Sequence, residues 1–306
     1  MRLLALRGRL ALARRSAASA APAPPEATAR PAAAAAAAPA ETAPPPGSWT
    51  MPRLRLVEAL WGEGFLLPGG AAEVLRLAVP LGLSAASSIL LLGAGSGGPS
   101  VRLAGDLGVW VRGHEADPFL TEMAARRIQR AGVALAKRAT IASWNPSRPA
   151  FDRRAFDHAL TLEALCVTEP QHVLEAMAQA VRPGGQIALL ETVAPTPLDP
   201  ADPAVAAWLR TGPDGALLPD PVRIGAALEQ LGFAVRVAED VSPRHIRLAV
   251  RGWRLLLRSL ATDRPDAAQA ALLIAEADRW LRRIRLMRAG RIRMMRWLAV
   301  ERRRSA

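Results

Sequence analysis

The stretch SILLLGAGSGGPS, residues 88–100, carries the reading of the fold. Ser88–Leu92 is an apolar run of strand length, and glycines follow at 93, 95, 97 and 98. The spacing then predicts a helix over Pro99–Leu107. A buried strand, a glycine loop and a helix in that order open an α/β unit whose loop lies where a ligand binds.

Working outward, strands and helices alternate. A second strand is expected at Val109–Arg112, and HEADPFLTEMAARRIQRAG (114–132) reads as a loop and a helix ending at Gly132. A third strand fits Ala139–Ala142, followed by a loop, and FDHALTL (156–162) is a fourth. Gln171–Val181 places Val173, Leu174, Met177 and Val181 on one helical face, closed by Pro183-Gly184-Gly185, and QIALLETV (186–193) is a fifth strand. This alternation predicts a Rossmann-like, mostly parallel sheet with helices on both faces. Beyond a Pro-rich loop (195–203) and an insert, PVRIGAALEQLGF reads as a helix and AVRVAEDV as a sixth strand. Helix is expected from about His245 to Ala289 with a break near Thr262–Pro265. RIRMMRWLAVERR (291–303) reads as a seventh strand.

Composition narrows the function. The 306 residues carry a net charge of +13, but the charge is uneven. Residues 1–49 hold six Arg against two Glu, and 279–306 hold eleven Arg against one Glu, which leaves the middle near neutral. A nucleic-acid face spread over the fold is therefore not expected. The lone Cys166 excludes a disulfide framework, and His114, His158, His172 and His245 form no i, i+4 pair, so no metal site is expected. His158 reads as packed in a strand and His172 as a surface residue.

Residues 1–50, in which Ser16–Gly47 is almost entirely Ala, Pro and small polar residues with seven consecutive alanines at 32–38, are expected to be disordered. Their composition resembles a transit peptide, and translation from Met51 is the alternative. The uncharged stretch Leu77–Val101 is broken by Pro80 and several glycines, against a transmembrane span, so a cytoplasmic protein is expected. Residues 51–306 then form one domain: an opening helix or lid (51–80), a cofactor-binding core (81–195), and a substrate-side insert with the last strands and the Arg-rich end (196–306).

Candidate site residues come from the strand ends. Gly93/Gly95/Gly98 satisfies a dinucleotide pattern, whereas Gly93/Gly95/Gly97 fits an adenosylmethionine loop. After the second strand, Glu115 or Asp117 has the chemistry to accept hydrogen bonds from ribose hydroxyls, with Glu115 favoured by its place nearer the strand. Glu163, at the end of the fourth strand, falls where an open sheet places its crevice and is the candidate for substrate contact or base work.

LLLGAGSGG (90–98), GHEADPFLTEMAARR (113–127) and the run from Phe156 to Val193 that contains RPGG together resemble the class I S-adenosylmethionine-dependent methyltransferases. Within them they resemble the group that includes the ubiquinone/menaquinone C-methyltransferases and many small-molecule methyltransferases. WGEGFLLPGG (61–70) is similar to a segment of phosphoethanolamine- and glycine-type N-methyltransferases. It reads either as a lid closed by Trp61 and Phe65 or as a plain connection.

The resemblance implies a seven-stranded sheet with an antiparallel last strand. It implies S-adenosylmethionine as cofactor, its methionine part passing Gly93, Ala94, Gly95 and Gly97 and its ribose held by Glu115 or Asp117. Ser143, Trp144 and Asn145 stand where the family often has an acid near the adenine. Leu165-Cys166-Val167 stands where it often has a histidine. The implied function is methyl transfer to a nitrogen, oxygen or carbon of a small-molecule acceptor; the alternative is an inactive methyltransferase-fold assembly protein. The Arg-rich end reads as a packed helix and strand with a solvated basic face, or as a contact for a phosphorylated substrate, anionic lipid or RNA.

Overall fold

Five strands run parallel in the order that alternation predicts: β1 (Ser88–Leu92), β2 (Trp110–Glu115), β3 (Ala139–Ser143), β4 (Phe156–Leu162) and β5 (Val181–Val193). Two more, β6 (Phe233–Asp240) and β7 (Arg293–Glu301), complete the sheet in a computed structural model that describes residues 47–302 apart from 168, 213–217, 261 and 263. The order is β3-β2-β1-β4-β5-β7-β6, and β7 lies antiparallel between β5 and β6. Alternate residues of β1 feed two different cores. Ile89 and Leu91 pack with Val74, Leu77 and Leu103, whereas Leu90 and Leu92 pack with Val173, Leu174 and Leu228. That alternation is why β1 is apolar at every position: it is covered on both faces.

Helices α1 (Met51–Trp61), α2 (Gly70–Ala78), α3 (Gly98–Leu107), α9 (Ser242–Ser259) and α10 (Ala267–Arg288) contribute to the first core. On the other face lie α6 (Pro170–Ala180) and α8 (Pro221–Gln230). The remaining helices are α4 (Pro118–Arg130), α5 (Val133–Arg138) and α7 (Pro203–Leu209).

Several expectations need correction. Residues 47–50, expected to belong to a disordered extension, are structured: Thr50 caps α1 by accepting from the Arg53 amide, and Trp49 packs against the core. The rest of that extension, 1–46, lies outside the described residues. Pro183-Gly184-Gly185 does not close α6. The helix stops at Ala180 and the glycines form a register shift inside β5, where Phe156 pairs with Val181 but His158 pairs with Gln186. A side chain at Gly185 would meet the Asp157 carbonyl at 2.4 Å, so the bulge needs glycine there. The insert also contains α7, started by Asp202 accepting from the amides of Ala204 and Val205.

The Arg-rich end is a packed helix and strand, with Trp280, Ile284 and Trp297 buried and Arg285, Arg288, Arg291 and Arg293 exposed. Arg279 and Arg283 are buried, and Arg282, Arg291 and Arg296 pair with Asp278, Asp202 and Glu239. Among the described residues no helix is long and apolar enough to cross a membrane.

Candidate functional site

The strand order reverses between β1 and β4, and in an open parallel sheet the crevice at the carboxyl ends beside such a reversal is where ligands bind. A cavity of about 740 Å³ occupies that place. Gly93, Ala94 and Gly95 line it after β1, Glu115 at the end of β2, Trp144 after β3, Glu163 after β4 and Thr192 near the end of β5. Asp117 lines it too, but its carboxylate is committed to capping α4 through the Leu120 amide at 3.0 Å.

Gly97, Ser143 and Asn145 are not on its wall. Gly97 is the N-cap of α3, Ser143 is exposed, and the Asn145 side chain accepts from the Ser147 amide at 2.9 Å. His172 is exposed on α6, and the Nδ1 atom of His158 is buried without a hydrogen-bond partner among the described residues.

The glycine loop owes its glycines to the protein's own packing. Gly93, Gly95 and Gly97 have φ of 73°, 57° and 95°, a region costly to residues with a Cβ. A Cβ on Gly93 would sit 2.2 Å from the Leu162 carbonyl oxygen, and one on Gly97 would sit 2.9 Å from the Ala124 backbone. The expected effect of Gly93→Ala is a loss of about 3 kcal/mol in chemical denaturation, from backbone strain and overpacking together.

Glu115 is the loop's anchor. Its buried carboxylate accepts from the amides of Gly95 (2.8 Å), Ala116 (2.8 Å) and Asp117 (3.1 Å), tying β2 to the turn after β1. Burial raises its pKa; the Asp117, Gly95 and Ala116 amides pull against that rise without cancelling it.

The segment 61–70 roofs the loop. Glu58 on α1 accepts from the Gly64 amide (3.0 Å), the Ser96 hydroxyl (2.8 Å) and Arg127 (2.6 Å). The Gly98 amide donates back to the Gly64 carbonyl, and Trp61 and Phe65 are buried. Leu66 lies directly over Gly95.

The far wall comes from α1 and α10; Arg53 and Glu276 were not singled out in the sequence, and Arg279 and Arg283 only as part of the Arg-rich end. Glu276, Arg279, Trp280 and Arg283 are spaced i, i+3, i+4 and i+7, one face of α10, and all four line the cavity. Glu276 takes hydrogen bonds from Arg53 (3.1 Å) and from the Trp280 indole (3.2 Å). Arg279 donates to the Thr211 carbonyl at 2.9 Å, and burial, then the neighbouring charges of Arg53 and Arg283, lower its pKa to about 9.

Arg283 pairs with Glu163 and donates to the Thr192 hydroxyl at 2.6 Å. Glu163 sits at φ +54°, an uncommon place for a non-glycine residue, and its amide donates to the Leu190 carbonyl. Burial raises its pKa, but Arg283, His245 and Thr192 together outweigh burial and hold the carboxyl below its ordinary value. It is therefore an ionised group on the cavity wall, and a weak base.

Beneath it Glu191 is fully buried, takes hydrogen bonds from Thr161, Ala164 (3.2 Å) and Leu165 (3.0 Å), and is pushed by burial up to about 8. The folded state keeps that proton between about pH 4.5 and 8 while the unfolded chain releases it, so this group's contribution to stability falls as pH rises through that window. Glu191→Gln is expected to flatten that decline, read as denaturation midpoints at about pH 6 and pH 9.

The sequence model described as a methyltransferase domain matches residues 90–189, the span from β1 into β5. No curated protein matches the chain. Among solved structures, phosphoethanolamine N-methyltransferase 2 of Haemonchus contortus, in complex with phosphomonomethylethanolamine and S-adenosylhomocysteine, superposes with a TM-score of 0.69 at 16% identity, over 81% of this chain and 57% of that one. This chain thus spans little more than half the length of that enzyme.

A putative sarcosine dimethylglycine methyltransferase from Galdieria sulphuraria gives 0.64 at 17% identity over 81% of this chain and 98% of that one. Geranyl diphosphate C-methyltransferase from Streptomyces coelicolor gives 0.58 at 15% over 76% and 80%. The strand order with β7 inserted antiparallel, the glycine loop and the match of residues 90–189 to the methyltransferase-domain model agree: this chain has the fold of the class I S-adenosylmethionine-dependent methyltransferases.

Proposed function

We propose that the protein is an S-adenosylmethionine-dependent methyltransferase acting on a small-molecule acceptor in the cytoplasm. The observation that carries this reading is the Glu115 carboxylate, buried at the end of β2 beside the glycine loop and on the wall of the cavity. Pockets for molecules of this size run from about 300 to 1,000 Å³, so about 740 Å³ suits a nucleoside cofactor with a small acceptor beside it. S-adenosylmethionine supplies an already activated methyl group. Catalysis then asks the chain chiefly to align an acceptor and exclude water.

Ala94 and Gly95 take the amino-acid part of the cofactor, Glu115 the ribose hydroxyls, and Trp144 and Leu120 flank the adenine. The roof made by Glu58, Gly64 and Leu66 keeps water from the loop. Across the cavity, Glu163 orients the acceptor through its ionised carboxylate. The guanidinium groups of Arg53, Arg279 and Arg283 make that end suited to an acceptor bearing a carboxylate or phosphate.

The test is mass-spectrometric detection of methyl transfer across amine, phenol and enol acceptors, each with and without an anionic group. Transfer to an anionic acceptor, reduced at least tenfold for its uncharged analogue, is the expected result. Transfer to uncharged acceptors alone would remove the role given to the arginines.

A further inference from the structure

The helix α9 carries a surface that the cavity does not use. Arg247, Arg251, Arg254 and Arg258 are all exposed and, at about 100° per residue, fall within one stripe roughly 60° wide. Leu255 and Leu257 flank the stripe on either side and are 54% and 55% exposed. The opposite face, His245, Ala249, Gly252 and Leu256, is buried. With Arg288 of α10 the stripe walls a groove of about 660 Å³.

None of these five arginines has an ion pair among the described residues, whereas Arg282, Arg283, Arg291, Arg293 and Arg296 each meet a carboxylate. The helix is seated tightly: a Cβ on Gly252 would lie 2.3 Å from the Trp61 ring.

We infer that α9 is a docking face for an anionic lipid bilayer, the arginines meeting lipid phosphates and Leu255 and Leu257 entering the headgroup boundary. Uncompensated arginine attracts any polyanion, but two exposed leucines bracketing the stripe gain nothing from a nucleic-acid backbone and do gain from an apolar layer beneath the phosphates. The site lies on α9 rather than on the Arg-rich C-terminal run, whose described arginines are mostly engaged.

The test uses the full-length chain with vesicles of phosphatidylcholine, pure or containing about one-third phosphatidylserine, at low and high salt. The expected result is sedimentation with the anionic vesicles only, at least tenfold weaker at high salt. Binding should fall at least 100-fold in R247Q/R251Q/R254Q/R258Q and about tenfold in L255S/L257S, with thermal unfolding unchanged in both. Equal binding to neutral vesicles, no binding by the parent, or undiminished binding by the quadruple variant would overturn the inference. So would competition by a uridine oligonucleotide combined with full binding by L255S/L257S, which would point to RNA instead.

Discussion

Glu115→Ala is expected to lower the affinity for S-adenosylhomocysteine at least 100-fold, about 2.7 kcal/mol, while leaving the sheet folded. Two losses add. A carboxylate that holds two ribose hydroxyls contributes charge-assisted hydrogen bonds of about 1.5–3 kcal/mol each. The same carboxylate also satisfies the amides of Gly95, Ala116 and Asp117, and without it the glycine loop loses the bond that fixes its turn. Glu115→Gln keeps one acceptor oxygen but turns an amide N–H₂ toward backbone donors, so an intermediate loss is expected. Calorimetric titration of the three proteins, with thermal unfolding as the check on folding, reads the series. Unchanged affinity in the alanine variant would take the ribose role from Glu115.

Arg283→Met should be the most damaging single change on the acceptor side, destabilising by about 3–5 kcal/mol and abolishing turnover. Removing the guanidinium strands Glu163 as a half-buried carboxylate without its counter-charge, at a residue already held at positive φ, and deprives Thr192 of its donor. Arg283→Lys retains the charge without the forked geometry and should recover most of the stability but little of the activity. Because the partner charge causes the damage, Glu163→Gln combined with Arg283→Met should be more stable than Arg283→Met alone. Denaturant unfolding of the four proteins as a double-mutant cycle gives that coupling directly. A purely additive cycle would show that the pair holds neither the fold nor the site together.

The parallel core was legible because its signals are local. SILLL followed by GAGSGG, and FDHALTL followed by a helix and QIALLETV, state their structure within a dozen residues each. Glu115 was legible for the same reason: the end of a strand beside a glycine loop is a fixed place in this topology.

The acceptor wall was not. Glu276, Arg279 and Arg283 carry the charges of a solvated helix face, and only the packing of α10 over the carboxyl ends of the strands shows that they are buried. Arg53 and Glu276 pair across 223 residues, a relation that no window of sequence contains. Ser143 and Asn145 lie off the cavity wall, and polar residues after a strand serve turns as readily as ligands: Asn145 holds its own turn. The short helices α5 and α7 escaped because six or seven residues give no periodicity to read.

The most direct measurement is calorimetric titration of the full-length wild-type chain with S-adenosylhomocysteine, with a nicotinamide dinucleotide as the comparison. The expected result is one-site binding of S-adenosylhomocysteine in the micromolar range, about −8 kcal/mol, and no heat from the dinucleotide. A folded protein that binds the dinucleotide, or neither ligand, would contradict the assignment of the cavity to S-adenosylmethionine.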